Sequence, residues 1–287
     1  MKIVIIQECG RHEANKNYRE SLNLQRALLK NDGVEAIVWG LNYPNFSTPF
    51  TEIEEWADVI FVIENYTPEW LPVKEIRESK KLKIYWSIDS HCVLSQHQKL
   101  CTMLDINILL NSTESYIPYF NNLVKKSYWF PNAYPDDLIF PMEIDKTIDI
   151  GFCGNLLNRS NYVHHLDKFG IKKDLFVIGD DMVKSINSYK IHFNRNISND
   201  INYRTFETTG CKTLLLTNYT LGLEKLFKIG EEIVVYENFN DLDEKVKYYL
   251  NNETERKKIE LAGYNRSNQN HTYFERSKTL LEIIKTY

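Results

Sequence analysis

Short apolar runs rich in β-branched residues alternate with amphipathic segments along this chain, and the alternation begins a second time after the midpoint. In the first half, residues 2–7 form such a run and residues 15–30 carry leucines at helical spacing. In the second half, a run at 147–152 precedes an amphipathic segment at 161–169. Alternation of this kind is typical of parallel sheets that helices cover. The pattern therefore predicts an α/β protein with two doubly wound, Rossmann-like domains.

Three prolines near the middle of the chain mark the predicted domain boundary. Pro131, Pro135 and Pro141 follow the last predicted strand of the first half, where neither a ladder nor a helix continues easily. The predicted organisation has four parts, namely an N-terminal domain at 1–133, a linker at 134–146, a C-terminal domain at 147–270 and a C-terminal helix at 271–287. Packing of that helix back on the N-terminal domain is one arrangement. Two such domains are expected to bind ligands in a cleft at the carboxyl ends of their strands.

Composition narrows the class of protein. The net charge of -4 argues against a nucleic-acid binder, because phosphate backbones are bound by concentrated positive surfaces. The first apolar run is too short for a signal peptide, and no stretch approaches the ~20 apolar residues that span a bilayer. The five cysteines lack the spacing of a zinc site and favour a reducing compartment. We therefore expect a cytoplasmic protein.

A cluster of basic residues in the first half of the chain raises the possibility of peripheral membrane contact. The basic residues concerned are Lys74, Arg77, Lys80, Lys81 and Lys83. Such a cluster is most often a solvated face, and an acidic membrane surface or a glycolipid is the functional alternative.

The most informative segment lies at residues 192–218 and contains an asparagine-x-arginine-x-phenylalanine-glutamate run that begins at Asn202. It resembles the donor-binding segment of group 1 glycosyltransferases, most closely the CgeB-like branch of the spore maturation type. The matching positions continue downstream at 223–227, 230–232, 234–236, 248–250, 255–256, 262–263 and 271–273. The resemblance covers most of 147–287. It implies a GT-B fold and transfer of a sugar from a nucleotide-diphospho-sugar to an acceptor.

The residues of this segment also suit a donor on chemical grounds. A helix that begins near Asn202 directs its N-terminal amides and positive dipole end towards a diphosphate. Arg204 and Arg195 add charge-assisted hydrogen bonds. In the family, the glutamate matching Glu207 accepts hydrogen bonds from the ribose hydroxyls, and the alternative here is an exposed helix carboxylate. The run assigns two more residues to the donor site, Thr205 and Phe206.

One position departs from the family pattern. Many group 1 enzymes carry another glutamate eight residues before the one that matches Glu207, and it contacts the donor sugar. Here that position is Asn199, which can hydrogen-bond a sugar but cannot stabilise positive charge at the anomeric carbon as a carboxylate does. Whether Asn199 or Asp200 takes that place stays open, and with it the sugar and the stereochemical outcome.

A glycine-containing turn after the first strand of the second half resembles the first loop of the family's donor domain. Gly154 lets the backbone approach a phosphate, and Arg159 just beyond it can pair with that phosphate. An ordinary strand-to-helix turn would look similar. Gly10, at the end of the first strand of the chain, is expected to approach the diphosphate from the other domain.

Asp89 and His91 follow a predicted strand of the first half, on the side of the fold that receives the acceptor. Together with Trp86, they resemble the weaker N-terminal part of the family pattern. A histidine oriented by a carboxylate suits a proton-accepting base, so both residues are predicted to be catalytic. The alternative is a structural histidine.

No metal or other cofactor is predicted, and the nucleotide-diphospho-sugar is a co-substrate. Asp241 and Asp243 have the spacing of a carboxylate pair that binds metal, but they open a helix, where acidic residues favour the dipole. Adjacent His164 and His165 face different ways on a helix. The acceptor is a glycan, a lipid-linked molecule or a protein. The rival functions are an epimerase or hydrolase of the same fold and a non-catalytic nucleotide-sugar-binding subunit of a partner transferase.

Overall fold

The computed structural model describes all 287 residues and divides into two compact units. Unit 1 comprises Met1–Pro131 together with Tyr273–Tyr287, and unit 2 comprises Asn132–Thr272. Each unit contains one parallel sheet with helices packed on it, so the predicted fold class of two Rossmann-like domains is confirmed.

The sheet of unit 1 has six parallel strands in the order β2-β1-β3-β4-β5-β6. Its central strands are continuous apolar runs, as expected where helices cover both faces. Buried residues of these strands, with the helices around them, form the core of the unit. The strands are β1 (Lys2–Ile6), β2 (Glu35–Trp39), β3 (Val59–Ile63), β4 (Leu82–Ser87), β5 (Ile108–Asn111) and β6 (Lys126–Trp129).

The helices of the N-terminal part of unit 1 are short except for the one that follows β4. The segment predicted as one helix at 15–30 is divided, with a 3-10 helix at Glu13–Tyr18 and an α-helix only from Glu20. Arg19 separates the two in an extended conformation. The α-helices are α1 (Glu20–Leu28), α2 (Phe50–Trp56), α3 (Val73–Glu78) and α4 (Ser90–Met103).

The sheet of unit 2 has five parallel strands in the order β11-β10-β9-β7-β8. The strands are β7 (Ile148–Gly154), β8 (Lys172–Leu175), β9 (Tyr189–Phe193), β10 (Leu214–Asn218) and β11 (Val234–Tyr236). Six helices accompany them, namely α5 (Ser160–His165), α6 (Gly179–Ser188), α7 (Tyr203–Gly210), α8 (Leu223–Leu226), α9 (Phe239–Asn251) and α10 (Glu253–Asn270). The connection β9-loop-α7-β10 lies at the centre of the sheet.

The prediction of a strand at 175–178 is wrong. β8 ends at Leu175 because Phe176 has a φ of 58°, a left-handed conformation that no strand continues through. Gly179, predicted to close that strand, is instead the first residue of α6. Strand β9 was not predicted from the sequence, although it lies at the centre of the sheet.

The predicted linker and the predicted C-terminal helix each belong to one of the two units. Residues 134–146, predicted as a linker, lie in unit 2, where Tyr134 is buried and Lys146 Nζ bonds Tyr189 O at 3.1 Å and Thr213 Oγ1 at 2.6 Å. The last helix, α11 (Tyr273–Lys285), lies in unit 1 and packs on α1. Ser277 Oγ accepts a hydrogen bond of 3.0 Å from Asn31 Nδ2 at that contact.

Candidate functional site

The carboxyl edge of the unit 2 sheet is built around asparagine side chains. Asn194 follows β9, and its amide group and that of Asn202 bond each other reciprocally at 3.1 Å. Asn196 accepts a bond from Asn202 N at 3.1 Å, and its own backbone N–H donates to Asn218 Oδ1 at 2.8 Å. Amides can both donate and accept, so they fix this irregular edge without any charge. Asn202 was predicted as a donor-binding residue. Asn194, Asn196 and Asn218, which the ends of β9 and β10 bring together, lie in the same 192–218 segment but were not assigned to the site.

A polar pocket of about 380 Å³ opens beside this cluster. Its lining includes Arg195, Asn196, Asn199, Asn218 and Thr220. Asn196 Nδ2 and Thr220 Oγ1 are buried and have no hydrogen-bond partner in the protein. Because such groups are costly to leave unpaired, they favour a polar ligand or water in this pocket.

A tight turn at residues 197–200 forms one wall of the pocket. Asp200 N bonds Ile197 O at 2.9 Å, and both central residues, Ser198 and Asn199, have positive φ angles of 52° and 61°. Asparagine tolerates this conformation better than glutamate does, which gives a local reason for an amide at position 199. Asn199 is exposed on the turn, whereas Asp200 is buried.

Arg159 and Arg195 lie together at the same edge. Arg159 Nε donates to Arg195 O at 2.8 Å, which connects the start of α5 to the end of β9. The Arg195 guanidinium lies 3.9 Å from the ring centre of Tyr162 and donates to Tyr236 Oη at 3.2 Å. Burial, together with the charges of Arg204 and Arg195, lowers the pKa of Arg159, although nearby Asp200 opposes this. Three arginines close enough to influence one another favour an anion at this edge.

Arg204 and Glu207 form an ion pair on α7, through Arg204 Nη1 and Glu207 Oε2. Arg204 Nε also donates to Cys153 O at 3.0 Å, at the end of β7. The Glu207 side chain is only 11% exposed, so it is not a freely solvated helix carboxylate. Its pairing leaves Oε1 as the oxygen available to a ligand.

Buried His192 connects α7 to strand β7 of the sheet. Its Nε2 accepts a bond from Cys153 N at 3.2 Å, so its Nδ1 carries the proton and donates to Thr208 Oγ1 at 2.6 Å. Burial, followed by the charges of Arg204 and Lys146, lowers the pKa of His192 to about 3. The ring is therefore neutral at physiological pH, and this histidine supports the site without exchanging protons.

Two predicted donor residues have no exposed surface. Thr205 and Phe206 are completely buried, and Phe206 packs on Phe227 and His271. They therefore hold α7 in place and do not line its exposed side. Asn202 is the N-cap of α7 but makes no capping bond with its side chain, which is engaged with Asn194. The first turn of α7 is thus not capped by its own sequence.

The two predicted glycines occupy different units. Gly154 ends β7 near Arg159, and the nearest atom to a Cβ at this position would be in the Phe152 ring, at 3.5 Å, so the turn has room beside its backbone. Gly10 follows β1 in unit 1, where a Cβ would lie 3.3 Å from Arg19 Cγ. Arg19 itself is buried beneath this turn.

Asp89 and His91 lie at the carboxyl end of β4 in unit 1. Asp89 is the N-cap of α4 yet makes no capping bond with its side chain. Burial raises the pKa of Asp89, and the charge of His91 acts in the opposite direction. Two further residues at this edge, Glu64 after β3 and His97 on α4, were not predicted from the sequence. The position of Glu64 directly after a strand of the same edge was a usable signal.

The histidine and aspartate pairs that the sequence raised as metal ligands have separate structural roles. His165 pairs with Asp243 at 2.8 Å and His164 with Asp167 at 3.0 Å, so the two histidines have different partners. Asp241 accepts a bond from Glu237 N at 2.9 Å within the first turn of α9, whose N-cap is Asn238.

One member of the predicted basic cluster is not solvated. Lys83 is 3% exposed, and its Nζ bonds Arg77 O at 3.1 Å and Asp105 Oδ2 at 3.1 Å. No helix in the structure is both long and apolar enough to cross a membrane.

Part of the second half of the chain is similar to a known protein family. Residues 142–282 match the model of the family described as glycosyl transferase-like. The match contains the asparagine cluster, the arginines and α7. A search of curated proteins found no match.

Three solved structures illustrate the similarity of fold. HepE from Anabaena, in complex with UDP and glucose, shows a TM-score of 0.66 at 11% identity, with 100% of both chains covered. Sucrose-phosphate synthase from Thermosynechococcus elongatus shows 0.69 at 10% identity, covering 99% of this chain and 98% of its own. A glycosyltransferase from Rickettsia africae shows 0.67 at 12% identity, with the same coverage. The fold of this chain is accordingly that of the GT-B glycosyltransferases.

Proposed function

We propose that this protein, whose residues 142–282 match the glycosyl transferase-like family model, transfers a glycosyl group from a nucleotide-diphospho-sugar to an acceptor. The observation that carries the proposal is the carboxyl edge of unit 2, where Arg159, Arg195 and Arg204 lie beside a polar pocket and the uncapped start of α7. Positive charge next to uncharged amides suits a molecule with an anionic diphosphate and a neutral, hydroxyl-rich sugar.

In this proposal, the arginines and the first-turn amides of α7 stabilise the departing nucleoside diphosphate. That charge develops as the glycosidic bond breaks, so groups already fixed in the protein lower the barrier. Glu207 accepts hydrogen bonds from the ribose hydroxyls through Oε1, while Arg204 holds its Oε2. Asn199 and the amides of the pocket contact the donor sugar.

Asp89 and His91 take part on the acceptor side. A carboxylate whose pKa is raised by burial is a better proton acceptor than an ordinary aspartate. We propose that Asp89 and His91 together accept the proton of the acceptor hydroxyl. Replacing His91 with alanine is then expected to lower turnover and leave nucleotide affinity nearly unchanged.

The first test measures binding and turnover with UDP-glucose as the probe, since HepE was solved with UDP and glucose. We expect saturable binding of UDP and UDP-glucose by calorimetry, and sugar transfer to extracts of acceptor glycans or lipids. Transfer should survive exhaustive chelation, because arginines and helix amides replace a metal in this proposal. Loss of transfer on chelation with recovery on adding Mg²⁺ or Mn²⁺ would contradict the metal-independent form. Other nucleotide-sugars enter the same assay if UDP-glucose fails to bind.

A second function, as a non-catalytic nucleotide-sugar-binding subunit, is favoured by one observation. Asn199, exposed on the turn beside the pocket, replaces a group that would stabilise positive charge at the anomeric carbon. A binding subunit retains nucleotide affinity but shows no turnover with any acceptor extract. An epimerase or hydrolase of the same fold differs in converting the nucleotide-sugar without an acceptor. Product analysis with and without acceptor therefore separates the three functions.

A further inference from the structure

Glu64 makes an unusual set of contacts at the carboxyl edge of unit 1. Its Oε2 accepts hydrogen bonds from the backbone N–H groups of Ile88 at 2.9 Å and Asp89 at 2.7 Å. The same oxygen lies 3.2 Å from His97 Nε2. Glu64 thus connects the end of β3 to the turn between β4 and α4.

A chain of buried polar groups supports the other side of His97. Its Nδ1 lies 2.6 Å from Ser87 Oγ, and Ser87 Oγ lies 2.5 Å from Ser90 Oγ. Asn111 Nδ2 donates to Ser90 Oγ at 2.8 Å. Burial lowers the pKa of His97 to about 4, so the ring is neutral at physiological pH. His97 and its partners are therefore neutral groups, and the ring is packed against the Glu64 carboxyl group.

In this arrangement Asp89 does not have the usual role of an N-cap aspartate. An aspartate at an N-cap normally accepts a bond from the amides of the first helical turn. Here the Asp89 side chain makes no such bond, and α4 has a kink at Val93 with φ -134° and ψ 35°. Because Glu64 holds the backbone of the turn, the Asp89 carboxyl group is not needed to hold it. Glu64 therefore fixes the turn, and the carboxyl group of Asp89 is not engaged in capping α4.

We propose that Glu64 is a positioning residue that fixes the Ile88–Asp89 turn and, through its own ionisation, controls the charge beside the Asp89 carboxylate. This inference rests on the proposed transfer function for the role of Asp89 as a base. The structural part of the inference is that Glu64 titrates while it is bonded to the two amides. This part does not depend on the proposed transfer function.

The state of Glu64 at neutral pH follows from its surroundings. Burial, and then the charge of Asp89, raise the pKa of Glu64 to about 8, while the two amide bonds act in the opposite direction. Oε2 is already bonded to two donors, so the proton of the neutral acid lies on Oε1. The titratable groups that face Glu64 are Asp89 from the turn, His97 from α4, Glu20 from α1, Tyr85 from β4 and Tyr66 after β3.

At pH 7, therefore, Glu64 is mostly neutral and Asp89 carries the charge. Above about pH 8, a second negative charge appears beside Asp89. Two neighbouring negative charges disfavour each other, so the basicity of Asp89 changes across that transition. The two carboxyl groups titrate as a coupled pair.

The structural test follows the amide resonances of Ile88 and Asp89 by 1H–15N NMR of the deuterated protein between pH 6 and pH 10. We expect both resonances to shift with a midpoint near pH 8 in the wild type. In Glu64→Gln the amide oxygen still accepts both bonds but cannot ionise, so the transition should be absent. Glu52→Gln, on the exposed face of α2, is the matched control and should titrate like the wild type. The inference is overturned if the two amides do not titrate, or if they titrate equally in Glu64→Gln.

The kinetic test uses UDP-glucose, or whichever nucleotide-sugar is turned over, in the same pH range. We expect kcat/KM of the wild type to change with a midpoint near pH 8, and this step to be absent in Glu64→Gln. At pH 7, Glu64→Leu should lower kcat more than tenfold, because both amides lose their acceptor, while Glu64→Gln recovers most of that loss. Donor KM should change less than threefold in both variants. Equal kcat in the wild type and Glu64→Leu would overturn the positioning role.

Failure of the proposed function gives a different result. If no nucleotide-sugar binds or turns over in the wild type, the transfer function is wrong, and the NMR midpoint still decides whether Glu64 titrates against the turn. If turnover is normal and the NMR transition is absent, the transfer function stands and the Glu64 inference fails. Because Glu64→Leu removes a buried group, its fold is checked by circular dichroism, and Glu64→Gln keeps the test decisive if Glu64→Leu does not fold.

Discussion

At the scale of single residues, Glu207 connects the chemistry of the proposed donor site most directly to a measurable contact. Hydrogen bonds to a charged group are worth roughly 1.5–3 kcal/mol each. Replacing Glu207 with alanine should therefore lower donor affinity by about ten- to a hundredfold, at roughly 1.4 kcal/mol per factor of ten. Glutamine should recover part of the loss. Calorimetry with UDP measures the effect.

A nucleotide without ribose hydroxyls provides the control for Glu207. The substitution should matter much less for a 2′,3′-dideoxy analogue of UDP, because the wild type has no hydroxyls there to bind. Comparing both proteins with both nucleotides isolates the contact. Release of Arg204 from its ion pair would lower affinity for the two nucleotides alike. Equal losses would thus assign Glu207 to the positioning of Arg204.

The buried histidine below α7 gives a prediction about acid stability. His192 has a pKa of about 3 in the folded protein and an ordinary value near 6.5 in the unfolded chain. Below pH 6.5 only the unfolded chain takes up the proton, so the free energy of unfolding should fall by up to ~1.4 kcal/mol per pH unit towards pH 3. In His192→Asn the difference in unfolding free energy between pH 7 and pH 5 should shrink by about 1–2 kcal/mol.

Urea unfolding at the two pH values measures this difference. His192→Asn lowers stability at both values through lost hydrogen bonds, so only the pH dependence is informative. His12→Gln, an exposed residue of unit 1, should leave the wild-type pH dependence unchanged. An unchanged slope in His192→Asn would show that other groups, such as His97, account for the acid sensitivity.

At the scale of elements, strand β8 ends where its sequence favours continuation. Phe176 is followed by two β-branched residues, yet it adopts a left-handed conformation and its side chain is 72% exposed. This conformation costs a bulky residue roughly 1–2 kcal/mol, whereas asparagine tolerates it. Phe176→Asn should therefore raise the free energy of unfolding by about 0.5–1 kcal/mol. Denaturant unfolding measures it, with Leu157→Asn as an exposed control outside such a conformation. A loss of stability would mean that Phe176 has packing that outweighs its backbone cost.

The same element shows why sequence patterns predicted some features and not others. The spacing of apolar residues and the positions of turn residues predicted the two sheets. This works because a buried strand is recognisable as a short apolar run in the local sequence. The conformation of Phe176 has no local signature, since it depends on how the chain meets α6. Lys83 likewise belongs to a basic run in sequence but is buried at the start of β4. Residue type alone therefore does not give exposure.

Some site residues could likewise be predicted from the sequence, and others could not. Asp89, Arg159, Arg195 and Glu207 lie at strand ends or on α7, where motif and topology agree, and all four are found at the carboxyl edge of a sheet. The asparagines around Asn194 and the network around Glu64 depend on which strands are neighbours. Strand order is a property of the folded sheet, and the sequence pattern does not contain it.

At the scale of the whole molecule, the chain forms unit 1 from two separate stretches. α11 places Leu280, Leu281 and Ile283 in buried positions, and each such side chain contributes roughly 1.5–3 kcal/mol. Truncation after Thr272 should therefore destabilise unit 1 by about 5 kcal/mol or more and leave unit 2 folded. Hydrogen-exchange mass spectrometry should show lost protection in peptides of unit 1, including α1, and unchanged protection in unit 2. Truncation after Lys285 is the matched control, and protected α1 peptides in the longer truncation would contradict the prediction.

The discontinuity of unit 1 also affects how the protein is made. The ribosome must synthesise all of Asn132–Thr272 before α11 exists, which takes roughly 7–30 s at about 5–20 residues per second. During that interval the face of α1 that packs on α11 is uncovered on the nascent chain. Unit 1 can be completed only after unit 2 has been translated. The uncovered α1 face is accordingly the segment where a nascent-chain chaperone would be expected to bind.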